Sequence, residues 1–435
     1  MLKNLIKKFI PAFVLSWYHL ALAHLANFVY GKPSEKLIII GVTGTNGKST
    51  TVNLIAKILA EAGHKVAVTS TVNFKIGDRE WLNDKKMTMP GRFFLQKLLS
   101  EALKSGCRFA VIESSSEGIL QHRHVGIHYD AMVFTNLTPE HIEAHQGFEN
   151  YKNAKLEYFR NLNNSAHKTI GSKCIDKVIV ANTDDPHGCD FLNFPADIKI
   201  NFGKNGTPKI KGSDLVASPG GIAFKINNVN FTLHLKGLFD FYNSLAATAT
   251  ASAFGIDLAT SKRALEKISN IPGRMELIEE GQSFKVLVDY AYEPEEMRQV
   301  YKTISQWPTR KVIQVLGPCG GGRDTARIPL LGEMAGEFAA TVFITTDDPY
   351  NDDPQKIGEQ MLKGSIRAGK NLDTNLFLEL DRRTAIATAF KNAQAGDLVL
   401  ITGKGSDQTM AVKNSYMKWD DREVAREELR KLLQK

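Results

Sequence analysis

Gly41-Val-Thr-Gly-Thr-Asn-Gly-Lys-Ser-Thr-Thr51 lies between an apolar run, Leu37 to Ile40, and a helix-forming stretch, Val52 to Ala60. That order predicts a strand, a glycine loop at its carboxyl end, and a helix. Glycines at 41, 44 and 47 let backbone N–H groups approach a polyphosphate, and the helix start adds the positive end of its dipole. In this reading Gly44, Thr45, Asn46, Gly47, Lys48, Ser49 and Thr50 cradle ATP. Lys48 reaches the β- and γ-phosphates, and Ser49 or Thr50 holds Mg²⁺. The generic phosphate loop needs glycine where this chain has Val42, so Gly44 to Thr50 carries a variant of the pattern.

Outward from that loop, short β-branched runs alternate with helical periods. Val66 to Thr69, Phe109 to Glu113, Ala131 to Phe134 and Val178 to Ala181 read as buried strands. The alternation predicts an α/β fold with a mostly parallel sheet and helices on both faces. Residues 197–234, richer in Gly and Asn, read as an antiparallel excursion, followed by a helix from Tyr242 to Phe254. Asn270-Ile-Pro-Gly-Arg274 punctuates the pattern and predicts a hinge. Beyond it, Phe284 to Val288, Val312 to Leu316, Val342 to Thr345, Leu376 to Leu380 and Leu398 to Ile401 predict a second, Rossmann-like α/β unit. The expected organisation is a helical segment over 1–36, a central ATP-binding unit over 37–270 and a C-terminal unit over 271–435.

With 435 residues, 43% of them hydrophobic, the chain can bury a large core. A formal charge of +8 suits anionic ligands or an anionic membrane surface. No basic run with interleaved aromatics points to nucleic acid. Cys107, Cys174, Cys189 and Cys319 have no Cys-x-x-Cys spacing, which argues against a zinc ribbon or disulfide framework and for a reducing, cytoplasmic setting. Phe9 to Gly31 is a run of 23 residues without Asp, Glu, Lys or Arg, with Pro11 suited to a first helical turn. With Lys3, Lys7 and Lys8 ahead of it and Trp17 and Tyr18 inside it, residues 1–31 predict either an interfacial helix at the inner face of a membrane or a helical pair packed on the central unit or on a second subunit.

A second chemically loaded stretch, Asn136-Leu-Thr-Pro-Glu-His-Ile-Glu-Ala-His145, runs on to Tyr151-Lys-Asn-Ala-Lys155 and follows a predicted strand, as Glu113 does. Carboxylate and imidazole at neighbouring strand ends can complete a Mg²⁺ site beside phosphates. By themselves such residues serve equally well as caps or surface groups.

Together these stretches resemble the Mur ligases, and best their third-residue branch, the UDP-N-acetylmuramoyl-tripeptide synthetases. The resemblance runs from about Leu37 to Lys431 and includes Glu113-Ser-Ser-Ser-Glu-Gly-Ile-Leu-Gln-His-Arg123, Asp240-Phe-Tyr-Asn243, Pro272-Gly-Arg-Met-Glu276, Asp289-Tyr-Ala-Tyr-Glu-Pro294 and Gly403-Lys-Gly405. It implies an ATP-dependent ligase of peptidoglycan biosynthesis that joins an amino acid to a muropeptide acceptor. It further implies that Lys155 is carbamylated by CO₂, and that Ser49, Glu113, His141 and that carbamate hold two Mg²⁺ ions. Lys48, Glu113, His141 and Lys155 would be the catalytic set, with Asn243, Arg274 and Asp289 on ATP. Thr88, Ser115, Gln121 and Arg123 would grip the muropeptide, and Asp347, Asp348, Gly403 and Asp407 the amino acid.

The mechanism so implied has a substrate carboxylate attack the γ-phosphate, after which an amine attacks the resulting acyl phosphate in a cleft closed to water. Enzymes of this branch that add meso-diaminopimelate carry Asp-Asn-Pro-Arg, where this chain has Asp347-Asp-Pro-Tyr-Asn-Asp-Asp-Pro354. Tyr350 in the arginine's place, with Asp348, Asp352 and Asp353 nearby, predicts lysine over meso-diaminopimelate; caps for the helix starting at Pro354 are the other reading of these acids. Ser406-Asp407 stands where the branch has His-Glu. Only 40 residues precede Gly41, so the expectation is that the family's N-terminal uridine-binding domain is missing and that the acceptor is held through its peptide, nucleotide-linked or lipid-linked. Rival readings are a folylpolyglutamate-type ligase, the lipid-linked relative, and a non-catalytic nucleotide-binding scaffold.

Overall fold

The computed structural model describes residues 12–140, 142–321, 325–413 and 415–434. Its first element is α1 (Ala12–Val29). β1 (Ile38–Thr43) then enters the phosphate loop and α2 (Lys48–Glu61) leaves it. β1 is six consecutive buried residues, the signature of a strand covered on both faces. Its alternate side chains divide accordingly. Ile38, Ile40 and Val42 join one apolar core with Val52 and Ile55 of α2, whereas Leu37 and Ile39 join another with Leu95 and Leu99.

The rest of the central sheet comprises β2 (Val66–Thr69), β3 (Asn73–Ile76), β4 (Arg79–Leu82), β5 (Phe109–Glu113), β6 (Ala131–Phe134), β7 (Val178–Asn182), β8 (Ile198–Gly203), β9 (Ile210–Ser218), β10 (Gly221–Ile226) and β11 (Val229–Leu233). These order as β11-β10-β9-β8-β7-β6-β1-β5-β2-β3-β4. Pairing is parallel from β9 across to β2 and antiparallel in the hairpins at both edges. Helices α3 (Arg92–Lys104) and α4 (Phe148–Asn164) lie on one face, and α5 (Asp240–Ala253) packs beside α2 on the other.

The expected antiparallel excursion over 197–234 is corrected in its first part. β8 pairs parallel with β7, Ile198 opposite Val178, and only β9 to β11 form an antiparallel meander. Gly and Asn content reports the turns in this region, not the direction of the strand ahead of them. The hairpin β3–β4 was not expected at all.

A second sheet holds β12 (Glu276–Ile278), β13 (Lys285–Asp289), β14 (Val312–Leu316), β15 (Thr341–Ile344), β16 (Leu376–Leu378) and β17 (Leu398–Thr402), ordered β12-β13-β17-β14-β15-β16 and parallel except for β12–β13. Between the sheets, Pro272-Gly273 makes a tight turn closed by an Ile271–Arg274 bridge. Gly273 has φ +65°, and a Cβ there would meet the Ser406 amide at 2.1 Å, so the turn is both left-handed and pressed against the Gly405–Ser406 loop.

α1 packs one face on the central unit. Ala23 and Ala26 are buried, Ser16 Oγ lies 2.8 Å from His122 Nε2, and Asn27 lies where a side chain at Gly126 would stand. Trp17, Tyr18, Leu25 and Phe28 remain exposed on the other side. Residues 1–11, which carry Lys3, Lys7 and Lys8, lie outside the described residues. Among those described, no helix is long and apolar enough to cross a membrane.

Candidate active site

The carboxyl ends of β1, β5 and β6 open into one cleft of about 1560 Å³ that the second sheet faces from the opposite side. On the central wall the phosphate loop is shaped by contacts that exclude larger residues. A Cβ at Gly44 would meet Thr135 Oγ1 at 2.0 Å, and one at Gly47 would meet Asn243 Oδ1 at 2.2 Å. Both glycines have positive φ, and Gly47 gives α2 no side-chain cap, which leaves the first-turn N–H groups available to an anion. Thr45 N and Asn46 N donate to Asn136 O and Oδ1, tying this loop to the one after β6.

Next to the loop, Ser49 Oγ donates to Glu113 Oε2 at 2.8 Å, and Thr71 N and Oγ1 donate to the same carboxylate. Glu113 is 2% exposed, so these donors are what makes its charge tolerable. A hydroxyl and a carboxylate beside an anion cradle are the hard oxygen donors that Mg²⁺ takes, so the residues present fit both ATP and the metal.

Lys155, on α4, is 1% exposed. Its Nζ donates to Gly44 O at 2.6 Å and lies 4.4 Å from the centre of the Tyr151 ring. Burial first, and repulsion from Lys48 second, drive its pKa well below the usual lysine value. Lys48 Nζ meanwhile folds back on Thr45 O at 2.5 Å. His145 bonds Ser116 at 3.0 Å. His141 lies outside the described residues, as do Gly322, Arg323 and Asp324.

Of the other expected residues, Thr88, Ser115, Gln121 and Arg123 line one flank of the cleft. Arg123 donates to Met89 O and to Gln121 Oε1, and Ser115 Oγ caps a short helix by accepting from Gly118 N. Asn243, Arg274 and Asp289 also line the cleft. Asp289 spends its two oxygens on Met275 N and Ala291 N, each at 2.7 Å, which makes it a brace for the turn carrying Arg274. Arg274 itself lies 4.4 Å over the Tyr290 ring.

The opposite wall is acidic. Asp347, Asp348, Gly403 and Asp407 line it, gathered around Lys404, whose Nζ lies 3.7 Å from Asp347, 2.9 Å from Asp348 and 3.1 Å from Asp407. The Lys404 side chain has no exposed surface. Burial opposes its charge, and Asp347, Asp407 and Asp348 more than offset that, holding it as a cation. Burial raises Asp347 to about 6.

Two acids grouped with these by sequence have other work. Asp353 caps the helix that starts at Pro354 by accepting from Gln355 N, and Asp352 Oδ2 accepts from Gly321 N. The capping alternative therefore holds for Asp353.

Four residues of this cleft were missed by sequence. Lys404 had a signal, since it sits between two glycines of positive φ. Glu140 lies in the quoted stretch after β6 but was given no role, and Lys86 and Glu296 had no local signal. Burial and repulsion from Glu140 raise Glu296 to about 7.

Comparison with known proteins matches residues 42–251 to the Mur ligase middle domain and residues 273–405 to the Mur ligase glutamate ligase domain. The chain is 37% identical over 421 residues to the UDP-N-acetylmuramoyl-L-alanyl-D-glutamate–2,6-diaminopimelate ligase of Geobacillus thermodenitrificans, covering 96% of this chain and 84% of that protein. The chain belongs to the Mur ligase family. This Mur ligase is therefore an ATP-dependent acid–amino acid ligase of peptidoglycan precursor synthesis. It is 35% identical to the UDP-N-acetylmuramyl-tripeptide synthetase of a Roseiflexus species over 97% of this chain and 84% of that protein. A solved diaminopimelate ligase of the same kind superposes with a TM-score of 0.61 at 30% identity, covering 91% of this Mur ligase and 79% of that chain. Folylpolyglutamate synthase of Mycobacterium tuberculosis, at 14% identity and a TM-score of 0.68 over 96% and 95% of the two chains, shares the fold.

Proposed function

We propose that this Mur ligase adds the third residue of the stem peptide, a diamino acid with lysine favoured over meso-diaminopimelate, to an L-alanyl-D-glutamyl muropeptide. The observation that carries the proposal is the pairing of the two walls, with Lys48, Ser49, Glu113 and Lys155 on one and Asp348 and Asp407, backed by the buried Lys404, on the other. The Geobacillus relative and the solved structure at 30% identity are diaminopimelate ligases, which makes meso-diaminopimelate the competing substrate. Against it, Tyr350 stands where an arginine would pair with a distal carboxylate. For lysine, Asp348 and Asp407 already hold an ε-ammonium, that of Lys86.

In this reading the loop amides and Lys48 bind the ATP phosphates, and the acceptor carboxylate attacks the γ-phosphorus to give acyl phosphate and ADP. Mg²⁺, when bound by Ser49 and Glu113, supplies the positive charge that offsets the crowded oxygens. Lys155, buried and depressed in pKa, presents the neutral amine that CO₂ requires; its carbamate would add an anionic oxygen donor beside Glu113. His141 is assigned to the same ligand set, and two ions to the set as a whole. Arg123, Gln121, Ser115 and Thr88 orient the acceptor. The amine of the incoming amino acid then attacks the acyl carbon, and phosphate leaves.

ADP release measured with the nucleotide-linked and lipid-linked dipeptide acceptors against an amino-acid panel tests the assignment. Release that requires both an L-alanyl-D-glutamyl acceptor and L-lysine is expected. A higher kcat/KM for meso-diaminopimelate would refute the lysine assignment, and release without any amino acid would refute the ligase reading.

The exposed Trp17, Tyr18, Leu25 and Phe28 of α1 support a peripheral membrane contact through residues 1–31, beside an acceptor flank that α1 touches at His122. Co-sedimentation with anionic liposomes should fall in a Trp17→Ser, Phe28→Ser variant; equal sedimentation would exclude the contact.

A further inference from the structure

Lys86 belongs to the central wall by chain and to the opposite wall by contact. It lies on the loop between β4 and α3, yet its Nζ donates to Asp348 Oδ2, 262 residues away in sequence, and stands 3.6 Å from Asp407 Oδ2. The Tyr350 and Tyr416 ring centres are each 6.0 Å away, and only 12% of the side chain is exposed. Reaching that position has a conformational cost. Lys86 holds φ +51°, and its loop is steered by Asn83, whose Nδ2 donates to Ser70 O at 2.8 Å and Met87 O at 3.0 Å.

The chemistry of the pocket explains what draws it there. Three aspartates, Asp347, Asp348 and Asp407, share one resident cation, Lys404. A second cation offsets part of the remaining charge, at Asp348 and Asp407, and the group that supplies it is a primary ammonium on a flexible four-carbon stem. That is also the distal end of lysine.

We propose that Lys86 occupies the ammonium subsite of the amino-acid pocket as a tethered competitor, and that a basic amino acid enters by exchanging with it. This rests on the assignment of Asp348 and Asp407 to the amino acid. The exchange is also wired to the other substrate. The loop that carries Lys86 carries Thr88, bonded to Thr71, and Met89, whose carbonyl accepts from Arg123. Displacing Lys86 therefore loosens the segment that holds the acceptor-facing arginine. A pocket self-occupied about nine-tenths of the time weakens the apparent affinity for its ligand about tenfold.

Steady-state kinetics on the full chain, with Lys86→Met and Lys86→Arg beside wild type, read the competition directly. Lys86→Met should lower KM for L-lysine about tenfold and change KM for ATP less than twofold, while Lys86→Arg, which keeps the charge, stays near wild type. A raised KM for lysine in Lys86→Met, restored in Lys86→Arg, would make Lys86 a binding group and overturn the proposal. A parallel rise in the KM values for lysine, ATP and the acceptor with a lower melting temperature would make it a strut, and overturn it too. Hydrogen–deuterium exchange over residues 83–90 separates this from the choice of amino acid. Faster exchange on adding L-lysine or meso-diaminopimelate, whichever the enzyme turns over, supports the exchange; no change with the turned-over amino acid refutes it.

Discussion

On the phosphate wall two lysines, Lys48 and Lys155, stand beside one buried carboxylate, Glu113, and the first turn of α2 has no side-chain cap. On the amino-acid wall three aspartates stand with two lysines, and each of those charges already has a partner. The first wall is electrostatically incomplete and is finished by its ligands. The second is internally paired, and in the proposed reading its ligand opens it. Different substitutions should therefore hurt them in different ways: loss of chemistry with the fold intact on one side, loss of stability or a shift in selectivity on the other.

Lys155→Ala should produce the largest effect. It removes the amine proposed to become an anionic ligand, and ligation should fall by about 10²–10³-fold or more, the range seen when one preorganised charge-stabilising group is lost. The circular dichroism spectrum and melting temperature should stay close to wild type, because Lys155 is a buried amine driven toward its neutral form and its removal breaks no ion pair among the described residues. Full ADP release by this variant would break the contrast, since the phosphate wall would then be complete without Lys155.

Lys404→Met comes next and should act on stability. It leaves two buried aspartates, Asp347 and Asp348, and the part-buried Asp407 with Lys86 as their cation, and breaking a buried pair costs about 3–5 kcal/mol. Denaturant unfolding measures this, and a loss under about 1 kcal/mol would show that the acids do not depend on Lys404. The pH dependence has a defined sign. Asp347 titrates near 6 in the folded protein against an ordinary value of 3.8, so the folded state keeps a proton that the unfolded chain has released. Its contribution to stability therefore declines as pH rises from about 4 to 6 and is gone above that window. In wild type Lys404 moderates the decline, and in Lys404→Met it should steepen. Unfolding curves at pH 5 and pH 7 compare the two.

The contrast also explains what was legible in the sequence. The phosphate wall is written locally: Gly44 to Thr50 is contiguous and Glu113 closes a strand predicted to the residue, whereas Lys155 was singled out only by the family resemblance. Strand ends set by β-branched runs put these residues at one edge of a parallel sheet, so reading the strands read the wall. The amino-acid wall is assembled from Lys86, Asp348, Lys404 and Asp407, brought together only by the approach of two sheets. No periodicity reports such an approach, and a lysine at 86 in a polar loop looks like any solvated lysine. For the same reason Asp352 and Asp353 seemed equivalent to Asp348 in sequence, and only hydrogen bonding separates the cap and the loop brace from Asp348, the acid proposed to face the ligand.

The smallest of these expected effects is a change of selectivity, tested by Tyr350→Arg. Tyr350 already adopts φ +52° and bonds its backbone to Ala411 and Lys413, so the side chain can change without altering the turn. A guanidinium at this position would stand near the Lys86 ammonium, now 6.0 Å from the Tyr350 ring, and would repel it from Asp348. The same guanidinium would offer a fork to the distal carboxylate of meso-diaminopimelate, which lysine lacks. Both consequences act in one direction. The ratio of kcat/KM for meso-diaminopimelate to that for L-lysine should rise about tenfold, the scale of one charge-assisted hydrogen bond worth about 1.5 kcal/mol. The rise should appear in KM more than in kcat, since the acyl phosphate forms on the other wall. If the ratio stays put while the melting temperature is unchanged, Tyr350 does not face the amino acid, and the selectivity of this wall resides with Asp348 and Asp407 alone.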